Sequence, residues 1–275
     1  MKILKICFSI LVSLLIAAGI LSAYGYWYAL TPRFTYREIS LKDLPREFDG
    51  MKVVFMSDIH LGPWCDSAWL RGIVKRVNGE KADVVLMGGD YVEQGSAYVE
   101  PAFYELARLQ TAEGVFGVMG NHDYLRGPQV TPLAMRRAGI HFMDNRGVWL
   151  ERGSSRVRLA GVGDMYYGEQ KYDQALGDAT TRDTVILLSH QPDYFMDLPD
   201  NRVDLMLSGH LHGGQITAFG KWAPILPSRF GQKFLSGWAE TSSTKMLITN
   251  GVGTFRFPIR LFAEPRVEVI TLRKG

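Results

Sequence analysis

Residues 52–60, KVVFMSDIH, place four consecutive apolar residues behind Lys52 and then turn polar at Ser57, Asp58 and His60. An apolar run this short, bounded by polar residues and rich in Val and Phe, reads as a buried strand whose carboxyl end carries side chains meant for something other than packing. The form returns in ADVVLMGGD (82–90) and GVFGVMGNHD (114–123). Amphipathic stretches separate these runs. DSAWLRGIVKRVNG (66–79) predicts a helix with Asp66 or Ser67 as cap, Trp69, Ile73 and Val77 on one face, and Gly79 as the stop. VEPAFYELARLQ (99–110) predicts another, and TPLAMRRAG (131–139) a short one with Thr131 as cap and Pro132 in its first turn. This alternation specifies an α/β fold.

Toward the carboxyl terminus the pattern changes. IHFMDN (140–145) and GVWLERGSSRVRLAGVGD (147–164) read as hairpin-like strands, with Gly153, Ser154 and Ser155 as turn residues. TVILLSH (184–190) and VDLMLSGHLHGG (203–214) are further buried strands, and KMLITNGVG (245–253) and RVEVITL (266–272) close the chain. The expectation is roughly ten strands and a few helices, with no solenoid-length repeat and no low-complexity segment.

In the other direction, the chain is uncharged from Ile6 through Pro32, and CFSILVSLLIAAGILSAYGYWYAL (7–30) is apolar enough to span a bilayer. Tyr24, Tyr26, Trp27 and Tyr28 gather at its far end, where aromatic rings meet headgroups. A cleaved secretory signal shares the basic start and apolar core, but only Ala23 with Gly25 offers a passable cleavage site, which favours an uncleaved anchor. Lys2 and Lys5 nearly balance Arg33, Arg37, Lys42 and Arg46 in the positive-inside count, so the side of the membrane stays open. The expected organisation is an anchor over residues 1–32, a charged tether over 33–50 and one domain over 51–275.

Composition narrows the function. A 275-residue chain that is 47% hydrophobic has ample material for a large core, and a net charge of +3 is too small for a dedicated nucleic-acid binder. The two cysteines, Cys7 in the apolar run and Cys65 far beyond it, support neither a disulfide framework nor a thiolate zinc site. Any metal is left to nitrogen and oxygen ligands.

Such ligands are abundant at the strand ends: Asp58 and His60, Asp90, Asn121 and His122, His190, then His210 and His212. In open α/β sheets that edge is where ligands bind. Two residues apart on an extended chain, Asp58 and His60 would leave the same face, and so would His210 and His212 if the chain stays extended there. Each block alone is an ordinary turn or a core histidine more often than a ligand. Together they hold five of the six histidines, all but His141, and supply enough donors for two divalent ions if Asp90 bridges them.

In order, D-x-H (58–60), G-D (89–90), G-N-H-D (120–123), S-H (189–190) and G-H-x-H (209–212) resemble the calcineurin-like metallophosphoesterase superfamily. GHLHGGQ (209–215), LSHQPDY (188–194), TNGVG and PRVEV are similar to its bacterial membrane-associated phosphodiesterase branch. The resemblance implies a four-layer αββα sandwich with a dimetal site at the strand ends. One metal would be held by Asp58, His60, Asp90 and His212, and the other by Asp90, Asn121, His190 and His210. His122 would protonate the leaving oxygen as an activated water attacks phosphorus. Mn is the expected metal for activity in vitro, and the ligand set also suits Fe, Zn or Co. Glu93 or Asp123 would orient a histidine, although Asp123 serves equally well as a turn residue.

The implied substrate is a phosphodiester or pyrophosphate, and part of the branch resembles enzymes that split UDP-2,3-diacylglucosamine, which would place the site on the cytoplasmic face of the inner membrane. Trp222, Phe230, Phe234 and Trp238 interleave with Lys221, Arg229 and Lys233, and Arg256, Phe257, Arg260 and Phe262 repeat the mixture. This predicts a basic aromatic lip for an amphiphilic ester, or else rings that pack a long loop. A nuclease or a non-catalytic membrane scaffold of the same fold are the rival functions.

Overall fold

The computed structural model describes residues 2–275. In chain order its elements are α1 (Lys2–Ala29), β1 (Arg33–Leu41), β2 (Lys52–Met56), α2 (Ser67–Gly79), β3 (Val84–Met87), α3 (Val99–Leu106) and β4 (Gly114–Gly117). They continue with α4 (Asn121–Arg126), α5 (Val130–Arg137), β5 (Ile140–Phe142), β6 (Arg146–Arg152), β7 (Ser155–Gly161), α6 (Tyr172–Leu176) and β8 (Val185–Leu188). Last come β9 (Leu205–Ser208), β10 (Gly237–Glu240), β11 (Lys245–Ile248) and β12 (Arg266–Lys274).

Two six-stranded sheets form, in the orders β1-β12-β2-β3-β4-β5 and β10-β11-β9-β8-β7-β6. Strands β2 to β5 run parallel, as do β7, β8, β9 and β11, while β12, β6 and β10 pair antiparallel with β2, β7 and β11. Alternation along each strand sorts its residues to opposite faces. Val53, Phe55, Val84 and Leu86 meet Leu159, Ile186, Leu188 and Leu207 between the sheets. Val54, Met56, Val85 and Met87 face outward under Leu70, Ile73, Val74 and Val77 of α2 and Phe103 of α3. On the other sheet Val185, Leu187, Met206 and Ile248 pack under Ala175 and Leu176 of α6 and under Tyr194 and Phe195 of a 3-10 turn. Three apolar layers between four layers of structure make the αββα sandwich. Burying a Val, Leu, Ile, Phe or Met fully contributes roughly 1.5–3 kcal/mol, which is why the central strands read as unbroken apolar runs.

Local expectations hold with adjustments. Asp66 caps α2, its carboxylate accepting the Trp69 N–H at 2.8 Å, a contact worth about 1 kcal/mol. Leu70 and Val74 join Ile73 and Val77 on the buried face, while Trp69 is displaced to its margin and donates its ring N–H to the Leu30 carbonyl at 2.9 Å. Helix α5 starts one residue before Thr131, which therefore lies inside the helix and caps nothing.

Two strands were not expected. β10 follows the aromatic loop, and β1 occupies most of the segment assigned to a tether, pairing with β12 along its full length from Arg33–Arg266 to Leu41–Lys274. Charge disguised β1: Ile39 and Leu41 are buried, and Arg37 bonds the buried Glu268 at 2.7 Å. Helix α1 is exposed almost throughout and touches the sandwich only near its end, at Gly25 and Ala29.

Candidate metal centre

Parallel strands present their carboxyl ends at one edge, and every predicted ligand arrives there just beyond a strand. The loops then bend sharply. Asp58, His60, Asp90, His210 and His212 all hold positive φ, at 55°, 48°, 55°, 70° and 53°. Non-glycine residues take this conformation at a cost, and such residues concentrate at functional sites. The alternation argument therefore fails locally: neither 58–60 nor 210–212 is extended, and the two histidines of G-H-x-H part company.

His212 joins Asp58 and His60, its Nε2 lying 3.0 Å from His60 Nε2 and 3.5 Å from Asp58 Oδ1. His210 joins Asp90 and His190. Asp90 touches both groups, with Oδ2 3.5 Å from His60 Nε2 and 3.2 Å from His190 Nε2. Its other oxygen accepts the His122 N–H at 2.8 Å. Asn121 and His122 open α4.

The backbone around this cluster is held by carboxylates. Both oxygens of Asp58 accept the His210 N–H at 3.0 Å. Asp123 accepts the N–H groups of Asp90, Tyr91 and Gly120 at 2.7, 3.0 and 2.9 Å, so it ties the G-D and G-N-H-D blocks together and is not the partner of His122. Glu93 lies beside two imidazoles: Oε2 is 2.8 Å from His60 Nδ1 and 3.6 Å from His122 Nδ1. Its carbonyl stands 3.4 Å from the same His122 nitrogen.

Glycine is required where the blocks meet. A Cβ at Gly89, φ +94°, would lie 2.4 Å from the Gly120 nitrogen, and one at Gly120 would lie 2.2 Å from Asp90 Oδ1.

The electrostatics are those of a site short of positive charge. Burial opposes a His190 cation, yet Asp90 and Asp58 push its pKa up to about 10. Burial and the neighbouring His190 take His210 down to about 3. Burial raises Asp58, and Asp90 adds to that. Burial also lowers His122, against the pull of Asp90 and Glu93. Among the buried side-chain atoms without a hydrogen-bond partner is Asn121 Oδ1, an acceptor of the predicted ligand set, while His190 Nε2 faces only Asp90 Oδ2 at 3.2 Å. A donor set of carboxylate, amide and imidazole around such atoms fits divalent cations.

Sequence reasoning overlooked some contacts and misplaced others. Tyr166 stands 3.5 Å from His210 Nε2, on a loop fixed by Asp164 and Gln191, and nothing but tertiary structure brings it there. Arg260, expected in the exposed lip, is fully buried. Its guanidinium donates to the carbonyls of His212, Asn250, Gly253 and Ala263 and lies 3.2 Å from His212 Nδ1. Phe234 is likewise buried, against Phe195 and Phe230, so that part of the lip packs the loop.

A four-layer sandwich with two linked clusters of His and Asp at one strand edge defines a metallohydrolase. The calcineurin-like phosphoesterase family model matches residues 51–214, and the chain belongs to that family of phosphoester hydrolases, which work with divalent metals. It is 31% identical over 268 residues to the uncharacterized metallophosphoesterase YkuE of Bacillus subtilis, covering 94% of this chain and 93% of that one. Phosphodiesterase YaeI of Escherichia coli is 27% identical over 91% of this chain and 93% of its own. A Danio rerio transmembrane protein with metallophosphoesterase domain is 29% identical over 95% of this chain, which spans only 62% of the fish protein. Among solved structures, a dimetal phosphatase from Danio rerio shares the fold, with a TM-score of 0.50 at 11% identity over 74% of this chain and 88% of that one.

Proposed function

We propose that the chain is a dimetal phosphodiesterase or pyrophosphohydrolase in which Asp58, His60, Asp90 and His212 hold one ion and Asp90, Asn121, His190 and His210 the other. The observation that carries this reading is the position of Asp90, within 3.5 Å of an imidazole of each cluster, with the buried Asn121 Oδ1 left without a hydrogen-bond partner. Bound ions, Mn(II) in this proposal, supply charge neutralisation at phosphate oxygens and an activated water.

The remaining work falls to side chains. Asp58 and Asp90 fix the backbone amides of His210 and His122, so ligand placement is built before any ion arrives. His122, 8% exposed at the edge of the cluster, donates a proton to the departing oxygen; burial lowers its pKa, and Asp90 and Glu93 beside it offset part of that lowering. Phe255, its ring 5.3 Å from that of His122, shields the pair from water.

The substrate in this reading is a lipid-linked nucleotide such as UDP-2,3-diacylglucosamine, handled by a single-pass protein of the bacterial inner membrane whose site faces the cytoplasm. Helix α1 supports the anchoring part, since its 28 residues have a mean hydropathy of 2.5 over the most apolar window.

The test uses the full chain in detergent, stripped of metal and restored with Mn(II). Metal-dependent release of UMP from UDP-2,3-diacylglucosamine, absent in Asp90→Asn, is the expected result. Cleavage of bis(p-nitrophenyl) phosphate without UMP release would retain the hydrolase and remove the lipid substrate; no turnover of either would leave a scaffold.

A further inference from the structure

About twenty residues separate Lys5 from Gly25 along α1, and at roughly 1.5 Å per residue they cover about 30 Å, the depth of a bilayer's hydrocarbon core. With that run in a membrane, Gly25 falls where acyl chains give way to headgroups. It is also where α1 meets the sandwich. The Gly25 carbonyl accepts the Arg260 N–H at 3.1 Å, and a Cβ on Gly25 would come within 2.7 Å of Ile259 Cγ2. Residues 259–262 are thereby held at headgroup depth.

A second loop is bound to that segment. The Thr217 N–H donates to the Leu261 carbonyl at 3.0 Å, and the rings of Phe219 and Phe262 lie 5.3 Å apart. Along the two loops Phe219, Ile225, Phe257 and Phe262 are 78%, 83%, 65% and 59% exposed, with Trp222 also in solvent. Phe219 and Phe262 keep φ of 56°, a left-handed conformation uncommon for a bulky residue. A soluble surface seldom carries such a patch without a partner.

Charge follows the same pattern. Between Leu205 and Ala263 the chain has one acidic residue, Glu240, against Lys221, Arg229, Lys233, Lys245, Arg256 and Arg260. Lys221 and Arg256 are exposed among the rings.

The same loops wall the metal centre. Gln215 donates to the carbonyls of Phe255 and Phe257 at 2.9 and 3.2 Å, setting Phe255 against His122. On the opposite side Tyr166, beside His210, donates to the Pro227 carbonyl at 3.2 Å, two residues beyond Ile225.

We propose that the exposed rim formed by Phe219, Trp222, Ile225, Phe257 and Phe262 is a bilayer-docking surface: its apolar side chains enter the membrane interface next to α1, with Lys221 and Arg256 at anionic headgroups. The mouth of the site then opens at headgroup depth, where a phosphoester on a lipid reaches the cluster without crossing water. The inference rests on α1 lying in a bilayer and is independent of the hydrolytic reaction. A bilayer is favoured over a protein partner because the rim continues from the point where the helix leaves the hydrocarbon.

Spin labels test it in the full chain, reconstituted into vesicles of phosphatidylethanolamine and phosphatidylglycerol. Ile225→Cys and Phe257→Cys would each be labelled on a Cys7→Ala background, Cys65 being buried. Leu15→Cys marks the membrane core, and Ser154→Cys marks water in the exposed β6–β7 turn. The expected result is an oxygen-to-nickel accessibility ratio at 225 and 257 several-fold above that at 154. Ratios at 225 and 257 equal to that at 154, with 15 in the core, would overturn the docking surface, and a label at 15 exposed to water would overturn it with the anchor. Neither readout requires turnover, so failure of the proposed reaction would show separately.

Discussion

Metal removal should be visible as lost stability before it is measured as lost activity. Asp58, His60, Asp90, His190, His210 and His212 are each no more than 7% exposed, so cations that settle there bind the folded chain and have no comparable site in the unfolded one. At a free Mn(II) concentration of about a hundred times Kd, each site adds about 2.7 kcal/mol, and two sites about 5 kcal/mol. The folded part is residues 33–275, and unfolding entropy of about 2.1 cal/mol/K per residue gives roughly 0.5 kcal/mol/K. Restoring Mn(II) to the chelator-stripped chain should therefore raise Tm by about 10 °C in differential scanning calorimetry. Asp90→Asn keeps an oxygen for the His122 N–H but removes the carboxylate that faces His190, so the stripped variant should itself melt below stripped wild type and its own Mn(II) shift should fall to about 3 °C or less. The exposed Glu151→Gln should keep the full shift. An equal shift in Asp90→Asn and wild type would refute a role for Asp90 in both sites, and no shift in wild type would refute the centre.

Three other outcomes follow from the same geometry. His122→Ala should slow hydrolysis of a diester with an alkyl leaving group by about 10²–10⁴ and that of a nitrophenyl ester far less, because only the poorer leaving group needs the proton; equal losses in steady-state kinetics would remove the acid role. Gly89→Ala should destabilise the chain by roughly 2 kcal/mol or more in urea titration, since its Cβ meets backbone at 2.4 Å and its φ is +94°; a midpoint within error of wild type would contradict the close approach of the two loops. Asp204 has its pKa pushed up to about 6 by burial, against the lowering effect of its bond from the Val185 N–H and with Asp43 raising it further. A carboxyl that holds its proton more tightly when folded contributes stability at pH below its unfolded value of 3.8 and loses it as pH rises through about 6. Asp204→Asn, measured on stripped protein, should abolish that decline and be the more stable chain at neutral pH; parallel pH profiles would show that the ionised carboxylate is not strained.

The ligands were legible because residue type and position in the chain identify them. Asp58, His60, Asp90, Asn121, His122, His190, His210 and His212 each follow an apolar run, and parallel strands must deliver such residues to one edge. The α/β class was legible for the same reason, since burial on both faces leaves no alternation to confuse with a surface strand. Partnership across the chain was not legible. β1 carries charged and polar residues whose partners, Glu268 and the whole of β12, lie more than two hundred residues away.

Sequence by itself determined the material: an apolar helix, two sets of buried strands, and a donor set of imidazoles, carboxylates and one amide with no thiolate among them. Tertiary structure decided the division of that material. Left-handed turns at His210 and His212 send neighbours in sequence to different clusters, and Arg260 leaves the expected surface for the core because five loop carbonyls converge on it. The physical reason is that spacing along the chain fixes direction only while the backbone stays regular. At this edge, hydrogen bonds that Asp58, Asp90 and Asp123 accept from distant amides set the backbone, and the partner of Asp58, His210, is in place only once both sheets have packed.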